Sequence, residues 1–436
     1  MPPRSILSYK RNKSTLVRVK AKSKKKHSFM DIPRHMRHLR RSIHRSKRHS
    51  SLKQHNPATY HSRSYRRPCA SIKNAPKLDK DMLMRVCSIA SPSGHETDMI
   101  RFLRHYAETH LKNIRVIVES GELYFVRMSP HKQSQTILFD AHIDQVGCRV
   151  MRIDDSGFLI CRCFGINSTD MNGRVVSILT RKGVIKGVVV IMPPHLNTPN
   201  FSDDEMRIDN PAVLVDIFTT TKGESEKIVE VGDVIYLEPS PSIIRNDVII
   251  GAGLDNHVGT YVVFELARYV NELSQKDMVN HMIIHFSCRE EVGNLRYVNM
   301  LSKYPDLPRN IDLVIVVDTD IATDVPNIPI NITSDSRIGN GVILSRNLVD
   351  EQIVYQFISD VARKEKIKHQ TTMSDGNNGG NNLMRYTNLN VIGQSIGIPL
   401  RYMHSDVECV SLQDIACTMT LLSRIFLLWR KEHGEK

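Results

Sequence analysis

Residues 136–147 read TILFDAHIDQVG, a short apolar run that leads directly into His142 and Asp144. The run itself, residues 136–141, has the length and composition of a β-strand that is covered on both faces. Runs of the same kind occur further along the chain, at residues 282–287 (MIIHFS), 311–318 (IDLVIVVD) and 390–395 (NVIGQS). These segments predict the strands of a central sheet that is flanked by helices.

Segments with helical periodicity alternate with these runs. Apolar residues recur at helical spacing in residues 82–89, 96–111, 258–273, 350–364 and 411–429. Alternation of strands and helices predicts an α/β fold. The last of these helices is expected to begin with a capping box, because Ser411 is followed three residues later by Asp414.

Residues 149–249 have a different texture. Short β-branched runs, punctuated by Gly, Pro and Asp, occur at residues 175–179, 184–191, 212–217 and 234–237. This pattern predicts a small β-barrel-like domain inserted into the α/β domain. The predicted domains are a basic tail at 1–76, catalytic parts at 77–148 and 250–436, and the inserted β-rich domain at 149–249.

The positive charge of the chain is concentrated at its amino-terminal end. The formal net charge is +14, but residues 1–76 contain 22 Lys and Arg with one acidic residue, Asp31, whereas residues 77–436 carry −7. Such a segment cannot bury enough apolar surface to offset its ordering entropy, so it is predicted to be a disordered tail. Its composition also suits contact with a polyanion or an organelle transit peptide.

Length and composition exclude several classes of protein. The 436 residues suggest two or three structural units, at about 100–200 residues per domain. No apolar stretch approaches the ~18 residues that a membrane span needs, and no Gly-rich phosphate-binding loop is present. The eight cysteines form no C-x-x-C pair, which argues for reduced thiols. A cytoplasmic location is expected, with an organelle as the alternative if the tail is a transit peptide.

Acidic residues and histidines follow the predicted strands. They lie after a strand or before a long helix, and they are His142, Asp144, Asp255, Glu290, Glu291, Asp318 and His404. In open α/β sheets ligands bind at the carboxyl ends of the strands, so we expect these side chains to converge on one crevice. One histidine for each of two metals, a bridging carboxylate and one further carboxylate apiece would make a dinuclear hydrolytic site, with the metals about 3.5–4 Å apart. The mixed N/O ligand set suits Zn²⁺, with Co²⁺ or Mn²⁺ as alternatives.

The sequence between residues 82 and 428 resembles a known family. The motifs occur in the order of the family, and they are SPSGHE (91–96), AHIDQVG (141–147), MPPHL (192–196), LDN (254–256), EEVG (290–293), VD (317–318), ATDVP (322–326) and PLRYMHS (399–405). Together they resemble the dinuclear metalloaminopeptidases of the glutamyl-aminopeptidase and tetrahedral-aminopeptidase type, a family sometimes labelled as cellulases.

The resemblance implies a role for each candidate residue. It implies that His142, Asp255 and Asp318 hold one metal and that Asp255, Glu291 and His404 hold the other, so that Asp255 bridges. It further implies that Glu290 is the general base and that Asp144 orients His142. Two neighbouring side chains of an extended segment point opposite ways, so Glu290 and Glu291 are expected to differ in role unless the chain turns between them.

The resemblance also implies a fold and an assembly. It implies an α/β catalytic domain with an inserted β-rich dimerisation domain, homo-oligomers that are dimers or dodecamers, and short peptides as substrates. This chain departs from the family at Gln145, at Asn256 with His257, and at Asn381 with Asn382, where the family usually shows Glu, Asp-Arg and Thr-Asp.

Two other functions are also compatible with the sequence. One is a related co-catalytic metallohydrolase, such as a carboxypeptidase or an N-acyl amino-acid deacylase. The other is a catalytically silent scaffold whose basic tail binds a polyanion.

Overall fold

The computed structural model describes residues 75–193, 195, 212–245, 247–293, 300–326, 328, 335–346, 352–373, 386 and 391–429. The predicted disordered tail lies outside these ranges except for its last two residues. None of the helices within the ranges combines the length and the hydropathy that are needed to cross a bilayer.

The described elements are as follows. The helices are α1 (Lys80–Cys87), α2 (Thr97–His110), α3 (Ser168–Met171), α4 (Lys222–Ser225), α5 (Leu254–Glu272), α6 (Gln352–Lys364) and α7 (Leu412–Leu428), with 3₁₀ turns at Glu290–Val292 and Met300–Ser302. The strands are β1 (Arg115–Glu119), β2 (Glu122–Arg127), β3 (Thr136–His142), β4 (Gly147–Ile153), β5 (Leu159–Phe164), β6 (Val175–Thr180), β7 (Gly183–Val189), β8 (Ala212–Asp216), β9 (Val234–Tyr236), β10 (Ser242–Ile244), β11 (Val248–Gly251), β12 (His281–Ser287), β13 (Leu313–Ile321), β14 (Val342–Arg346), β15 (His369–Met373), β16 (Ile392–Arg401) and β17 (Glu408–Ser411).

One large mixed sheet organises the α/β part of the molecule. Its strand order is β1-β2-β12-β3-β13-β16-β17-β11-β10, and β14 pairs with both β15 and β16. The central strands β12, β3, β13 and β16 run parallel to one another, whereas the edge pairs β1/β2 and β10/β11 are antiparallel. The predicted α/β fold is confirmed, and its central sheet contains both parallel and antiparallel strand pairs.

Helix α5 packs across the middle of this sheet. It contacts β3 and β13 on one side and α1 and α7 on the other, and nearly all of its side chains are buried. Its sequence is apolar on several faces, as a helix enclosed between two layers requires. The helix begins at Leu254, four residues before the predicted start, so its first turn contains Asp255.

The start of α7 differs from the capping box that the sequence predicts. The Ser411 hydroxyl does accept a hydrogen bond from the N–H of Gln413 at 3.2 Å. The Asp414 carboxylate, however, accepts hydrogen bonds from the N–H groups of Gly339 and Gly341, at 2.5 and 2.6 Å. Asp414 therefore anchors the loop before β14 instead of closing a reciprocal cap on Ser411.

Six strands form a closed barrel apart from the large sheet. Their order is β4-β5-β8-β7-β6-β9, and their inward-facing apolar residues form a separate hydrophobic core. The predicted β-barrel-like insertion is confirmed. The barrel strands span residues 147–236, while β10 and β11 already pair with the large sheet. The domain limits at 149 and 249 stay predictions.

The barrel interrupts the chain between two parts of the candidate site. The chain leaves the sheet after His142, enters the barrel at Gly147 and returns through β10 and β11 to Asp255 at the start of α5. The insertion therefore begins and ends beside the same crevice, at the carboxyl end of β3.

Candidate metal centre

The carboxyl ends of the parallel strands bring the candidate residues together. His142 is the last residue of β3 and lies opposite Ser287, the last residue of β12. Asp318 lies in the neighbouring strand β13, three residues before its end. Asp255 enters from the start of α5, and His404 enters from the turn after β16. All seven predicted residues meet at this edge of the sheet, as expected for an open α/β sheet.

The first group of ligand-type side chains is His142, Asp255 and Asp318. The Nε2 atom of His142 lies 3.4 Å from Asp255 Oδ1 and 3.3 Å from Asp318 Oδ1. All three residues are buried, and their ligand atoms lie within 4.8 Å of one another. This is the spacing of groups that converge on a common centre.

The second group is Asp255, Glu291 and His404. The Nε2 atom of His404 lies 3.3 Å from both Asp255 Oδ2 and Glu291 Oε2. Asp255 thus belongs to both groups and turns a different carboxylate oxygen toward each histidine. Gly165 keeps the space beside Glu291 open, because a Cβ on this glycine, whose φ is +70°, would lie 3.2 Å from Glu291 Oε2 and 2.3 Å from Val146 Cγ1.

Glu290 and Glu291 face the same cluster because the chain turns between them. They open a 3₁₀ turn, Glu290–Val292, which follows Arg289 in the left-handed conformation with a φ of 62°. Glu290 Oε2 lies 3.9 Å from His142 Nε2. Neighbouring side chains point opposite ways only in an extended segment. Because the chain turns at Glu290, the side chains of Glu290 and Glu291 can face the same cluster.

The Asp144 carboxylate holds this turn in place. It accepts hydrogen bonds from the N–H of Glu290 at 2.9 Å, the N–H of Glu291 at 3.2 Å and the Ser93 hydroxyl at 2.5 Å. Toward His142 Nδ1 the main-chain oxygen of Asp144 is nearer, at 3.2 Å, than its carboxylate, at 3.6 Å. A separation of 3.6 Å is too long for a hydrogen bond, so the contact that orients His142 comes from the backbone of Asp144.

The donor set fits a metal cation. Among the described residues, Asp255 Oδ1 and Glu291 Oε1 are buried acceptors that have no hydrogen-bond partner. Buried polar atoms are normally satisfied, and two unsatisfied carboxylate oxygens buried in one cluster call for a positive charge. The imidazole and carboxylate atoms are those that Zn²⁺ and related divalent metals accept.

The pKa shifts in the cluster also indicate a site for a cation. Burial, together with the neighbouring carboxylates, raises the pKa of Glu290 to about 8 and that of Glu291 to about 7. Burial would lower the pKa of His404, but Asp255 and Glu291 raise it to about 11. Carboxylates outnumber histidines in a buried space, so the cluster holds excess negative charge that a cation would neutralise.

Sequence reasoning did not single out Glu408. This buried residue of β17 accepts hydrogen bonds from the backbone N–H groups of Asp255 and His404, at 3.1 and 2.7 Å. It stands four residues after His404 in the sequence, but nothing in its immediate neighbours distinguishes it from a surface glutamate. Only the pairing of β17 with β11, which places Glu408 opposite Gly251, reveals its position.

The departures from the family pattern at Gln145, Asn256 and His257 are buried beside the site. Ser91 contacts two of them: its N–H donates to Gln145 Oε1 at 3.2 Å, and its hydroxyl lies 2.7 Å from His257 Nε2. The Asn256 side chain donates to the Val317 carbonyl at 2.8 Å. These side chains are therefore held by hydrogen bonds next to the candidate metal ligands. The departure at 381–382 lies outside the described residues.

A comparison with protein-family models decides the family. The model for the M42 glutamyl aminopeptidases matches residues 121–421, which include all seven predicted site residues. The chain belongs to the M42 glutamyl aminopeptidase family. It is therefore a peptidase of a metal-dependent family.

Individual relatives agree with membership of the M42 family. The chain is 30% identical to aminopeptidase FrvX of Escherichia coli (strain K12) over 361 residues, which cover 79% of the chain and 94% of the relative. It is 26% identical to a lysyl aminopeptidase of Pyrococcus furiosus over 347 residues, which cover 79% of this chain and 95% of the relative.

Solved structures of similar proteins share the fold of this M42 protein. A TET aminopeptidase from the marine sediment archaeon Thaumarchaeota archaeon SCGC AB-539-E09 superposes with a TM-score of 0.71 at 25% identity, covering 81% of this chain and 97% of that one. The TET1 peptidase of Pyrococcus horikoshii, which assembles into a tetrahedron or a large octahedral shell, gives a TM-score of 0.64 at 21% identity, covering 80% and 99%.

Proposed function

We propose that this M42 protein is an aminopeptidase that uses two divalent metal ions to remove amino-terminal residues from short peptides. The observation that carries the proposal is the position of Asp255. Its two carboxylate oxygens lie 3.4 and 3.3 Å from the Nε2 atoms of His142 and His404, respectively. A carboxylate that faces two histidines, one with each oxygen, is the arrangement expected when it bridges two metal ions.

Each metal position would have three protein ligands. His142, Asp255 and Asp318 would hold one ion, and Asp255, Glu291 and His404 would hold the other. Zn²⁺ is the metal proposed, with Co²⁺ or Mn²⁺ as alternatives, because the ligands are imidazoles and carboxylates. When bound, such a pair of ions polarises the scissile carbonyl and activates a water molecule.

Glu290 is proposed as the general base. Its side chain is 20% exposed, more than those of Asp255 and Asp318, so it can reach a water molecule and a substrate at the mouth of the cluster. Its carboxylate would take the proton of the attacking water and return it to the amine of the leaving peptide. The hydrogen bond from the Glu290 N–H to Asp144 supports this position.

The substrate is proposed to be a peptide with a free α-amino group. The excess of carboxylates around the site would attract the α-ammonium group and repel a carboxyl terminus. This charge arrangement supports cleavage at the amino-terminal end over a carboxypeptidase reaction. The relatives named as aminopeptidases support the same choice.

The protein is also proposed to be cytoplasmic and to form a homo-oligomer, either a dimer or a dodecamer. The barrel carries exposed large apolar side chains, among them Phe218, Val231 and Val175, which are 74%, 67% and 62% exposed. Apolar side chains of this size on a surface favour association, and the inserted barrel is proposed as the dimerisation domain.

The test combines metal content with hydrolysis. The purified full chain should contain two ions and hydrolyse aminoacyl-p-nitroanilides but not their N-acetylated counterparts, and chelation should abolish hydrolysis. Asp255→Ala should lose both ions because Asp255 belongs to both groups, whereas His404→Ala should lose mainly one. A fully active protein with one ion per chain would contradict the proposal.

A further inference from the structure

The Glu408 carboxylate contacts the backbones of Asp255 and His404, two of the ligands of the proposed second metal position. Its Oε2 atom accepts the N–H of Asp255 at 3.1 Å, and its Oε1 atom accepts the N–H of His404 at 2.7 Å. Glu408 itself is 1% exposed. One buried carboxylate thus connects the backbones of two ligand-bearing segments that are about 150 residues apart in the sequence.

Neither of these segments is fixed by regular secondary structure. His404 has a φ of 60° and lies in the turn between β16 and β17. Asp255 has φ −80° and ψ 106°, which is not helical although it stands in the first turn of α5. A non-glycine residue in the left-handed region is strained and persists only where its surroundings hold it.

Glu408 is well placed to supply that hold. It begins β17, whose pairing with β11 puts it opposite Gly251, four residues before Asp255. The two ligands it fixes face each other, with His404 Nε2 3.3 Å from Asp255 Oδ2. By contrast, His142 and Asp318 lie within strands of the sheet and need no such link.

We propose that Glu408 is a positioning residue that sets the Asp255–His404 pair and thereby the affinity of the second metal position. The inference rests on the proposed two-metal function. Both partners of Glu408 are N–H donors, so a carboxylate satisfies both, whereas an amide has one acceptor and would turn its NH₂ group toward the other donor. Glu408→Gln therefore breaks one of the two links without changing the size of the side chain.

The chain offers a matched control for this substitution. Asp414 is also a buried carboxylate that accepts two backbone N–H groups, those of Gly339 and Gly341, but it lies in the support of the loop before β14. Asp414→Asn removes the same kind of double acceptor. Any general destabilisation should therefore appear in both variants, and an effect on the metals should appear in only one.

The experiment measures metal content after dialysis of the full chain against a series of fixed Zn²⁺ concentrations. The wild type and Asp414→Asn should each retain two ions. Glu408→Gln should retain one, and its second ion should return only at a Zn²⁺ concentration about 10–100-fold higher, the usual effect of removing a group that orients a metal ligand. Thermal unfolding of the three proteins without metal records the change in stability separately.

Several results would overturn the inference. An unchanged second affinity in Glu408→Gln would do so, as would an equal loss of metal in Asp414→Asn. If Glu408→Gln does not fold, Glu408→Asp replaces it, because the shorter side chain keeps the charge but cannot span both N–H groups. The same weakening is expected there, and two ions at wild-type affinity would refute the role. A wild type that never binds a second ion would instead contradict the proposed function, on which the inference depends.

Discussion

At the scale of single residues, Glu290 and Glu291 have different surroundings although they are neighbours in one turn. Glu291 Oε2 lies 3.3 Å from His404 Nε2, and the Glu291 side chain is 5% exposed. Glu290 Oε2 is 3.9 Å from His142 Nε2, and its side chain is 20% exposed. The more enclosed carboxylate has the contacts of a ligand, and the more open one has access to a water molecule.

Replacing each glutamate by glutamine should separate these roles. Glu290→Gln should keep both ions and lower kcat by about 10²–10⁴-fold, because the amide cannot take a proton from water. Glu291→Gln should weaken one ion, and excess Zn²⁺ should restore part of its activity. Mass spectrometry of the metal content beside kcat for both variants measures the difference.

The exposed Glu226 of the barrel provides the control, since Glu226→Gln should change neither quantity. If Glu290→Gln lost an ion and Glu291→Gln kept both, the two roles would be reversed. A fully active Glu290→Gln would remove Glu290 from the mechanism.

Which site residues the sequence can predict depends on how they are held. His142, Glu290 and Asp318 were predictable because they stand in or just after apolar runs, and strand ends collect ligands. Glu408 was not predictable, because its partners Asp255 and His404 are backbone groups that come near it only through strand pairing. The turn at Glu290 depends on a left-handed Arg289, for which the sequence contains no glycine signal.

At the scale of elements, most of the fold could be predicted from the alternation of strand and helix patterns in the sequence. Helices α1, α2, α6 and α7 lie within two residues of their predicted limits because their apolar periodicity is strong. Strands β14 and β15 were missed, since their polar residues, such as Ser345 and Thr372, weaken the apolar signal while tertiary contacts bury them. The start of α5 at Leu254 was missed because its first turn contains the polar residues Asp255 and Asn256, which do not continue the apolar periodicity of the helix.

A buried polar network joins three strands on the face of the sheet away from α5. His285 of β12 is fully buried, and its Nδ1 lies 3.1 Å from Asp140 Oδ1 of β3. Its Nε2 lies 3.2 Å from Glu122 Oε2 of β2, and the Tyr386 hydroxyl is 2.7 Å from Nδ1. Burial would lower the pKa of His285, but Asp140 and Glu122 raise it above the usual value.

This network should make the stability of the protein depend on pH. A histidine whose folded pKa is raised contributes stability that is complete below its unfolded pKa, about 6.5, and that is lost as the pH rises through the folded pKa. His285→Gln should therefore lower the free energy of unfolding by about 3–5 kcal/mol at pH 6, as for a broken buried ion pair. The difference from the wild type should shrink at pH 9, as measured by chemical denaturation.

His105→Gln is the control for this experiment, because His105 is exposed on α2 and its loss should change stability little at either pH. An equal loss of stability for His285→Gln at pH 6 and pH 9 would show that the network acts through packing and not through the charge of His285.

At the scale of the whole molecule, charge and chemistry occupy different parts of the chain. The basic residues are concentrated in 1–76, whereas residues 77–436 carry a net charge of −7. Every proposed ligand lies at or after His142, and the family match begins at residue 121. The positive charge therefore lies in a segment that contains none of the proposed ligands.

Deleting residues 1–76 should consequently leave catalysis intact and change only the binding of polyanions. We expect kcat/KM on aminoacyl-p-nitroanilides to stay within about twofold of the full chain, because small substrates need only the metal centre. Retention on heparin should fall sharply, because the deletion removes a charge of +21. For the full chain, retention should weaken with added salt as counterion release becomes less favourable and the Debye length drops below about 8 Å.

Two results would contradict this prediction. A collapse of kcat/KM after the deletion would show that the tail contributes to the active site. Unchanged, salt-sensitive retention on heparin would place the polyanion contact on residues 77–436.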